Sequence, residues 1–245
     1  MNTKNLPKEV REKIAHALGM IGDEISISAL IATMKQDSSP YVRAAAALAL
    51  SWREGVRDVL ITALGDESSA VRAAAAIALS CKYYETNGAE FTIVVSALAG
   101  ALLNEKSITV RKLIIDALGR QGGAIAANAA MRALAHDRSA IVREAAATTL
   151  GHIGDVYKNI TVEALIKAMS HDSSPRVRAA AALALSHFSN EKVFDTRAIV
   201  EALTDALHDS SISVQKAAVT SLKLLRASNV LASALVSTYK EVKNE

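Results

Sequence analysis

Three histidines stand directly before an acid, at His136-Asp137, His171-Asp172 and His208-Asp209. An imidazole beside a carboxylate is a pairing that ligates metals. The pairs recur at intervals of 35 and 37 residues, so each sits on its own structural unit. Equivalent residues on neighbouring helices lie roughly 9–10 Å apart. Two such side chains do not readily share an ion with bonds of about 2 Å, and they read as solvated loop residues. The same objection is expected to hold for His152 and His187, while His16 reads as plain surface. Cys81 is the only cysteine, and no histidine stands in an equivalent turn of either flanking unit to activate it. Gly122-Gly123 falls in a turn between helices and not after a strand, so it is no phosphate loop. The sequence therefore predicts no catalytic, metal or cofactor residue.

The elements that must position any chemistry come from an internal repeat. Val-Arg recurs at Val10, Val42, Val71, Val110, Val142 and Val177, and Val214-Gln215 keeps the valine alone. A leucine follows eight residues later in all seven copies: Leu18, Leu50, Leu79, Leu118, Leu150, Leu185 and Leu222. Seven residues later the side chain is always small, from Ala17 to Ser221. A serine stands three before the valine in six copies (Ser39, Ser68, Ser107, Ser139, Ser174, Ser211), and an acid five before it (Asp37, Asp66, Glu105, Asp137, Asp172, Asp209).

Each position has a physical reading. Serine caps a helix N-terminus, and Pro40 and Pro175 follow two of these serines at the first helical position, where proline costs nothing. Valine and the residues four, seven and eight later share one helical face, which must be buried. Gly19, Gly119 and Gly151 can supply left-handed C-caps. A second helix follows in each unit, carrying pairs such as Leu30/Met34, Leu98/Leu102 and Leu165/Met169. The arginine occupies the first turn, where the helix dipole disfavours a cation. The acid six residues upstream is the expected compensation, giving an Asp-Arg ladder along the stack. A row of arginines gripping phosphates is the functional alternative.

Segments such as Asp37-Ser-Ser-Pro-Tyr-Val-Arg-Ala-Ala-Ala-Ala-Leu-Ala-Leu50 and Val142-Arg-Glu-Ala-Ala-Ala-Thr-Thr-Leu-Gly-His-Ile-Gly-Asp155 resemble the phycobilisome-lyase subclass of HEAT-like repeats. The resemblance implies an all-α fold, an α-solenoid (a right-handed superhelix) of about seven HEAT-like hairpins. The units run approximately 5–36, 37–65, 66–104, 105–136, 137–171, 172–208 and 209–245, within a single domain of residues 1–245. The subclass is similar across bilin lyase subunits, phycobilisome-degradation factors, deoxyhypusine hydroxylase and scaffolds with no chemistry. Deoxyhypusine hydroxylases place His-Glu pairs just after Val-Arg. The matching pairs here are Glu12-Lys13, Ala44-Ala45, Ala73-Ala74, Lys112-Leu113, Glu144-Ala145, Ala179-Ala180 and Lys216-Ala217. None contains histidine, which excludes that activity.

Composition narrows the partner. The chain has 28 Lys+Arg against 25 Asp+Glu, a net charge of +3, and a weak field steers nucleic acid poorly. The second helices mix signs, with Arg57 beside Asp58, Glu163 near Lys167, and Arg197 near Glu201 and Asp205, unlike the clustered cations of a nucleic-acid face. No membrane segment or signal peptide is visible, so a cytoplasmic protein is expected. Two features point to a protein partner, a second copy of the chain included. Trp52, Tyr83, Tyr84, Tyr157, Phe188 and Phe194 fall in turns linking first to second helices, either as interface anchors or as plugs of the core ends. Leu48, Ile77 and Leu183 occupy an outward position that is polar in other repeats, either as an apolar patch or on helices set deeper in the stack. The sequence reading is thus a non-enzymatic protein-binding scaffold, with a bilin lyase-type or phycobilisome-associated chromophore-handling subunit as the alternative and nucleic-acid binding behind both.

Overall fold

The computed structural model describes residues 5–81, 88–153, 158–188 and 196–225 of the 245-residue chain. Every regular element among the described residues is helical. The helices are α1 (Lys8–Ile21), α2 (Glu24–Gln36), α3 (Pro40–Ala49), α4 (Arg57–Ala63), α5 (Ser69–Cys81), α6 (Ala89–Asn104), α7 (Ile108–Gln121), α8 (Gly123–His136), α9 (Ala140–Ile153), α10 (Lys158–His171), α11 (Pro175–Leu185), α12 (Arg197–Asp205) and α13 (Ile212–Leu224). Short 3-10 turns extend α11 at Ser186–Phe188 and α12 at Ala206–His208. Contacts divide the chain into two compact units, Met1–Ala126 and Ala127–Glu245.

Odd-numbered helices carry the repeat's valine and, within each unit, stack on one another. In the first unit α1 packs on α3, α3 on α5 and α5 on α7; in the second, α9 packs on α11 and α11 on α13. Second helices also lie on the first helix of the next hairpin, as α2 does on α3, α4 on α5, α6 on α7, α10 on α11 and α12 on α13. A helix contacted on two sides needs a wide apolar stripe, and alanine keeps the helices thin enough to approach. Val42, Ala46, Ala47 and Leu50 of the second repeat are wholly buried, as are Val177, Ala181, Ala182 and Leu185 of the sixth. Each such leucine contributes roughly 1.5–3 kcal/mol of burial. Val10 is 41% exposed because no described helix covers its outer side.

The structure corrects the reading of the three glycines. Gly19, Gly119 and Gly151 lie inside α1, α7 and α9; the C-caps of α1 and α7 fall three residues later, at Gly22, which is left-handed with φ 68°, and at Gly122, with φ 76°. Gly19 and Gly151 answer to close packing. A Cβ on Gly19 would lie 2.7 Å from Ala49 Cβ, and one on Gly151 would lie 3.0 Å from the backbone of Ala184. Ala49 and Ala184 are the small residues seven places after the next repeat's valine, so glycine meets alanine where first helices touch. Other repeats place serine at the same register, and Ser51, Ser80 and Ser186 turn their hydroxyls onto the carbonyls of Leu48, Ile77 and Leu183 at 2.6–2.7 Å. The α1 C-terminus gains a cation as well: Arg53, from the following hairpin, donates to the Gly19 carbonyl, where the helix dipole favours positive charge.

Candidate functional site

The motif arginines are the most regular charged feature, and Arg11, Arg43, Arg72, Arg143 and Arg178 each join two repeats. Arg43 donates from Nε and Nη2 to both carboxylate oxygens of Asp66, at 3.0 and 2.9 Å, and from Nη1 to the backbone carbonyl of Asp37 at 2.9 Å. Arg72 repeats this on Glu105 and the Asp66 carbonyl, Arg143 on Asp172 and the Asp137 carbonyl, and Arg178 on Asp209 and the Asp172 carbonyl. Arg11 opens the series on Asp37. The acid six residues upstream of an arginine therefore supplies only its carbonyl. The carboxylate comes from the next repeat, which corrects the pairing expected from spacing. Gln215, the one motif residue that is not arginine, keeps the carbonyl bond, to Asp209 at 2.8 Å.

The same carboxylates replace the serines as caps. One oxygen of each acid accepts the backbone N–H two residues later, at Ser39, Ser68, Ser107, Ser139, Ser174 and Ser211, at 2.7–2.8 Å. Ser39, Ser174 and Ser211 hold the N-cap position without a side-chain cap bond; Ser107 makes one, to the Val110 N–H at 3.4 Å. A bidentate guanidinium in a half-buried setting favours the charged carboxylate. The Arg11 guanidinium holds Asp37 below the usual carboxylate range; Arg72 does so for Glu105 and Arg178 for Asp209. Burial pushes Asp66 and Asp172 upward, but Arg43, Arg143 and the capped serine N–H groups outweigh it and both also titrate low. The guanidinium fork of each of these five arginines is already taken by a carboxylate, which removes the functional alternative for them.

What remains exposed lies at positions where the repeats differ. Ten residues after the valine the side chain leaves the end of the first helix. Trp52 there is 72% exposed and Met20, its equivalent one hairpin earlier, 86% exposed, with Ile21 beside it also in solvent. Because α1 packs on α3, Met20 and Trp52 share one edge of the first unit. Met20 and Ile21 escaped the sequence reading, which looked for aromatics; the signal was that Met20 holds the register of Trp52. Phe188 is only 5% exposed, so it plugs the end of its hairpin and is not an exposed anchor. Tyr83, Tyr84, Tyr157 and Phe194 lie outside the described residues.

The outward positions of the first helices divide similarly. Leu48 is 38% exposed and Ile77 half-buried, on packed helices α3 and α5, and Leu183 is exposed on α11. Tyr41, seven residues before Leu48 and so on the same helical face, is exposed too, with the Lys8 ammonium 5.2 Å above its ring. That spacing was legible in the sequence and was missed. His152 and His187 come closer than the helix-spacing argument allowed, with ring centroids 5.2 Å apart and planes tilted by 53°. The tight contact of Gly151 with Ala184 is the reason: small residues bring the two hairpins together just before the rings. Among the described residues no group of three or more His, Cys, Asp or Glu could hold a metal ion.

Two grooves lie in the second unit. One of about 350 Å³ flanks Leu183 on the outer side of α9 and α11, beside an Arg176–Glu144 ion pair of 2.9 Å. The other, about 660 Å³, runs between α8 and α10 and is lined by Met131, Arg132, Ile160, Ala164, Lys167 and Asp172 among others. No described helix is long and apolar enough to cross a membrane.

Comparison with known proteins agrees with this architecture. Solved structures that resemble the chain include an archaeal HEAT-like repeats protein from Thermococcus onnurineus NA1, at 13% identity, covering 91% of this chain and 98% of that one with a TM-score of 0.61. A designed armadillo repeat protein in complex with the peptide (KR)4 matches at 17% identity, covering 80% and 98%, with a TM-score of 0.54. Human deoxyhypusine hydroxylase aligns at 21% identity over 92% and 82%, with a TM-score of 0.46. No curated protein sequence matches. The family profile described as HEAT repeats matches residues 2–51, 95–186 and 162–244, and the chain belongs to the HEAT repeat family.

Proposed function

We propose that this protein is a non-enzymatic, cytoplasmic scaffold that binds another protein through the variable positions of its repeats. One observation carries the reading. Five of the motif arginines are spent on carboxylates of the next repeat, whereas large apolar side chains stand in solvent where the copies diverge. The fold is suited to the task, since repeat stacks present extended binding surfaces, and the designed armadillo neighbour holds a peptide. The contact residues proposed are Trp52 with Met20 on the turn edge, and Leu48 and Ile77 with Tyr41 on the outer face; Tyr83, Tyr84, Tyr157 and Phe194, outside the described residues, are proposed with them because they follow first helices in the sequence. Exposed aromatic and long apolar groups are typical of interface hot spots.

The test is affinity capture from the source cell with three baits: the native chain, Leu48→Asp with Ile77→Asp, and Met20→Asp with Trp52→Ala. The proposal expects a defined protein on the native bait that at least one double variant loses while far-UV helicity stays unchanged. Identical capture by all three would remove these surfaces from the reading. The chromophore-handling alternative rests on the phycobilisome-lyase resemblance alone, and a saturable absorption shift on adding a free bilin would favour it over the scaffold.

A further inference from the structure

We infer that the groove between α8 and α10 receives an extended acidic peptide of the partner protein, with one carboxylate on Arg132 and a second on Lys167. The inference rests on the scaffold reading and names the chemistry of what one face would bind. The groove, about 660 Å³, lies wholly within the second unit. Arg132 and Lys167 are both exposed on its rim, and neither pairs with a carboxylate among the described residues. The single acid lining the groove, Asp172, is spent on Arg143 and on the Ser174 N–H. Its negative charge is thus already matched, and the free charge of the groove is positive. Between the two cations the lining is apolar, with Met131, Ile160 and Ala164.

Register fixes the spacing. Arg132 stands five residues before the acid Asp137, and Lys167 five before Asp172, so the two are equivalent positions on successive second helices. Such positions lie about 10 Å apart. A chain in polyproline II conformation advances about 3.1 Å per residue and returns to the same face every third residue. Acids three residues apart therefore reach both cations, and the chain between them passes over the apolar lining. A free inorganic anion would leave that lining uncovered. A nucleic acid needs a longer row of cations than these two; the exposed Glu163, one turn before Lys167, lies outside the groove's lining.

The test uses the full chain and a fluorescein-labelled peptide of repeating Glu-Leu-Pro units, read by fluorescence anisotropy. A Lys-Leu-Pro peptide and a labelled single-stranded oligothymidylate are run beside it. Expected is saturable binding of the acidic peptide that weakens with added salt, with neither comparison probe binding as tightly. Arg132→Glu with Lys167→Glu should weaken it at least about tenfold. The milder Arg132→Gln with Lys167→Gln should weaken it less, with unchanged helicity. Failure of the acidic peptide to saturate, equal or tighter binding of either comparison probe, or indifference to both double variants would overturn the inference. Capture through the Trp52 edge or the Leu48–Ile77 face is measured separately. A lost groove with intact capture sinks this inference alone, and lost capture with an intact groove sinks those surfaces alone.

Discussion

The two units carry the same skeleton and different surfaces. Five residues before the repeating acid, the first unit has Ala32, Ile61 and Gly100, while the second has Arg132, Lys167 and Thr204. One residue before it, Gln36, Gly65 and Asn104 give way to His136, His171 and His208. At the end of the first helix, Met20, Trp52, Cys81 and Arg120 stand against His152, His187 and Leu224. The first unit thus offers Met20 and Trp52 at its turn edge, with Arg120 as the one cation there, and no Lys or Arg in α6. The second offers cations and imidazoles at the same addresses. Meanwhile Arg43 and Arg72 in one unit make the bonds that Arg143 and Arg178 make in the other. Stacking is bound to register, and recognition is free to vary between its fixed points.

If that division is right, the two units should respond alike at constant positions and differently at variable ones. The largest shared response is to acid. Asp37, Asp66, Glu105, Asp172 and Asp209 all titrate lower folded than free, so the native state binds fewer protons than the unfolded one. Their contribution is present in full above the unfolded pKa values of about 4 and is lost as pH falls through the folded values. Urea midpoints followed by circular dichroism should hold steady from neutral pH to about 5 and then drop, with both units losing helicity. Stability that stayed flat into strong acid would contradict the ladder.

Core truncation comes next. Leu79→Ala in α5 and Leu185→Ala in α11 remove equivalent, wholly buried side chains, and each should cost about 2–5 kcal/mol in urea unfolding. A marked inequality between them would mean the two stacks are not built alike. Removing one rung is milder. Arg72→Ala and Arg143→Ala should each cost about 1.5–3 kcal/mol, the range for hydrogen bonds to charged groups. Arg72→Lys should recover only part, because an ammonium lacks the planar fork. Gly22→Ala forces a left-handed residue and should cost about 1–2 kcal/mol. Smallest are the variable positions: Arg132→Gln, Lys167→Gln and Trp52→Ala should each shift stability by no more than about 0.5 kcal/mol, while changing binding.

The architecture was legible because a valine, a leucine and an acid at fixed offsets leave few ways to fold. Two kinds of detail were not. The partner of each arginine lay beyond its own repeat: spacing shows Asp66 six residues before Arg72, yet the carboxylate of Asp66 belongs to Arg43 and Arg72 turns to Glu105. Local sequence cannot distinguish an acid's side chain from its carbonyl as the acceptor. Gly19 and Gly151 were read as caps because glycine near a helix end usually is one; the contact with Ala49 or Ala184 exists only once hairpins stack. At the surface, an aromatic in a turn marks Trp52, whereas Met20, which is not aromatic, and Tyr41, which lies on a helix, are placed beside Trp52 and Leu48 by register alone. The groove between α8 and α10 was invisible because its two cations are 35 residues apart.

The account turns on the claim that each motif arginine fastens its repeat to the next one through the next repeat's carboxylate. A double-mutant cycle in urea, Arg72→Ala against Glu105→Ala, measures that most directly, with Arg72→Ala against Asp66→Ala as the companion cycle. The expected result is a coupling of about 1–3 kcal/mol for Arg72 with Glu105 and a clearly smaller one for Arg72 with Asp66, which lends Arg72 only its carbonyl. Coupling to Asp66 that equalled or exceeded coupling to Glu105 would contradict it, and would return each arginine to the acid of its own repeat.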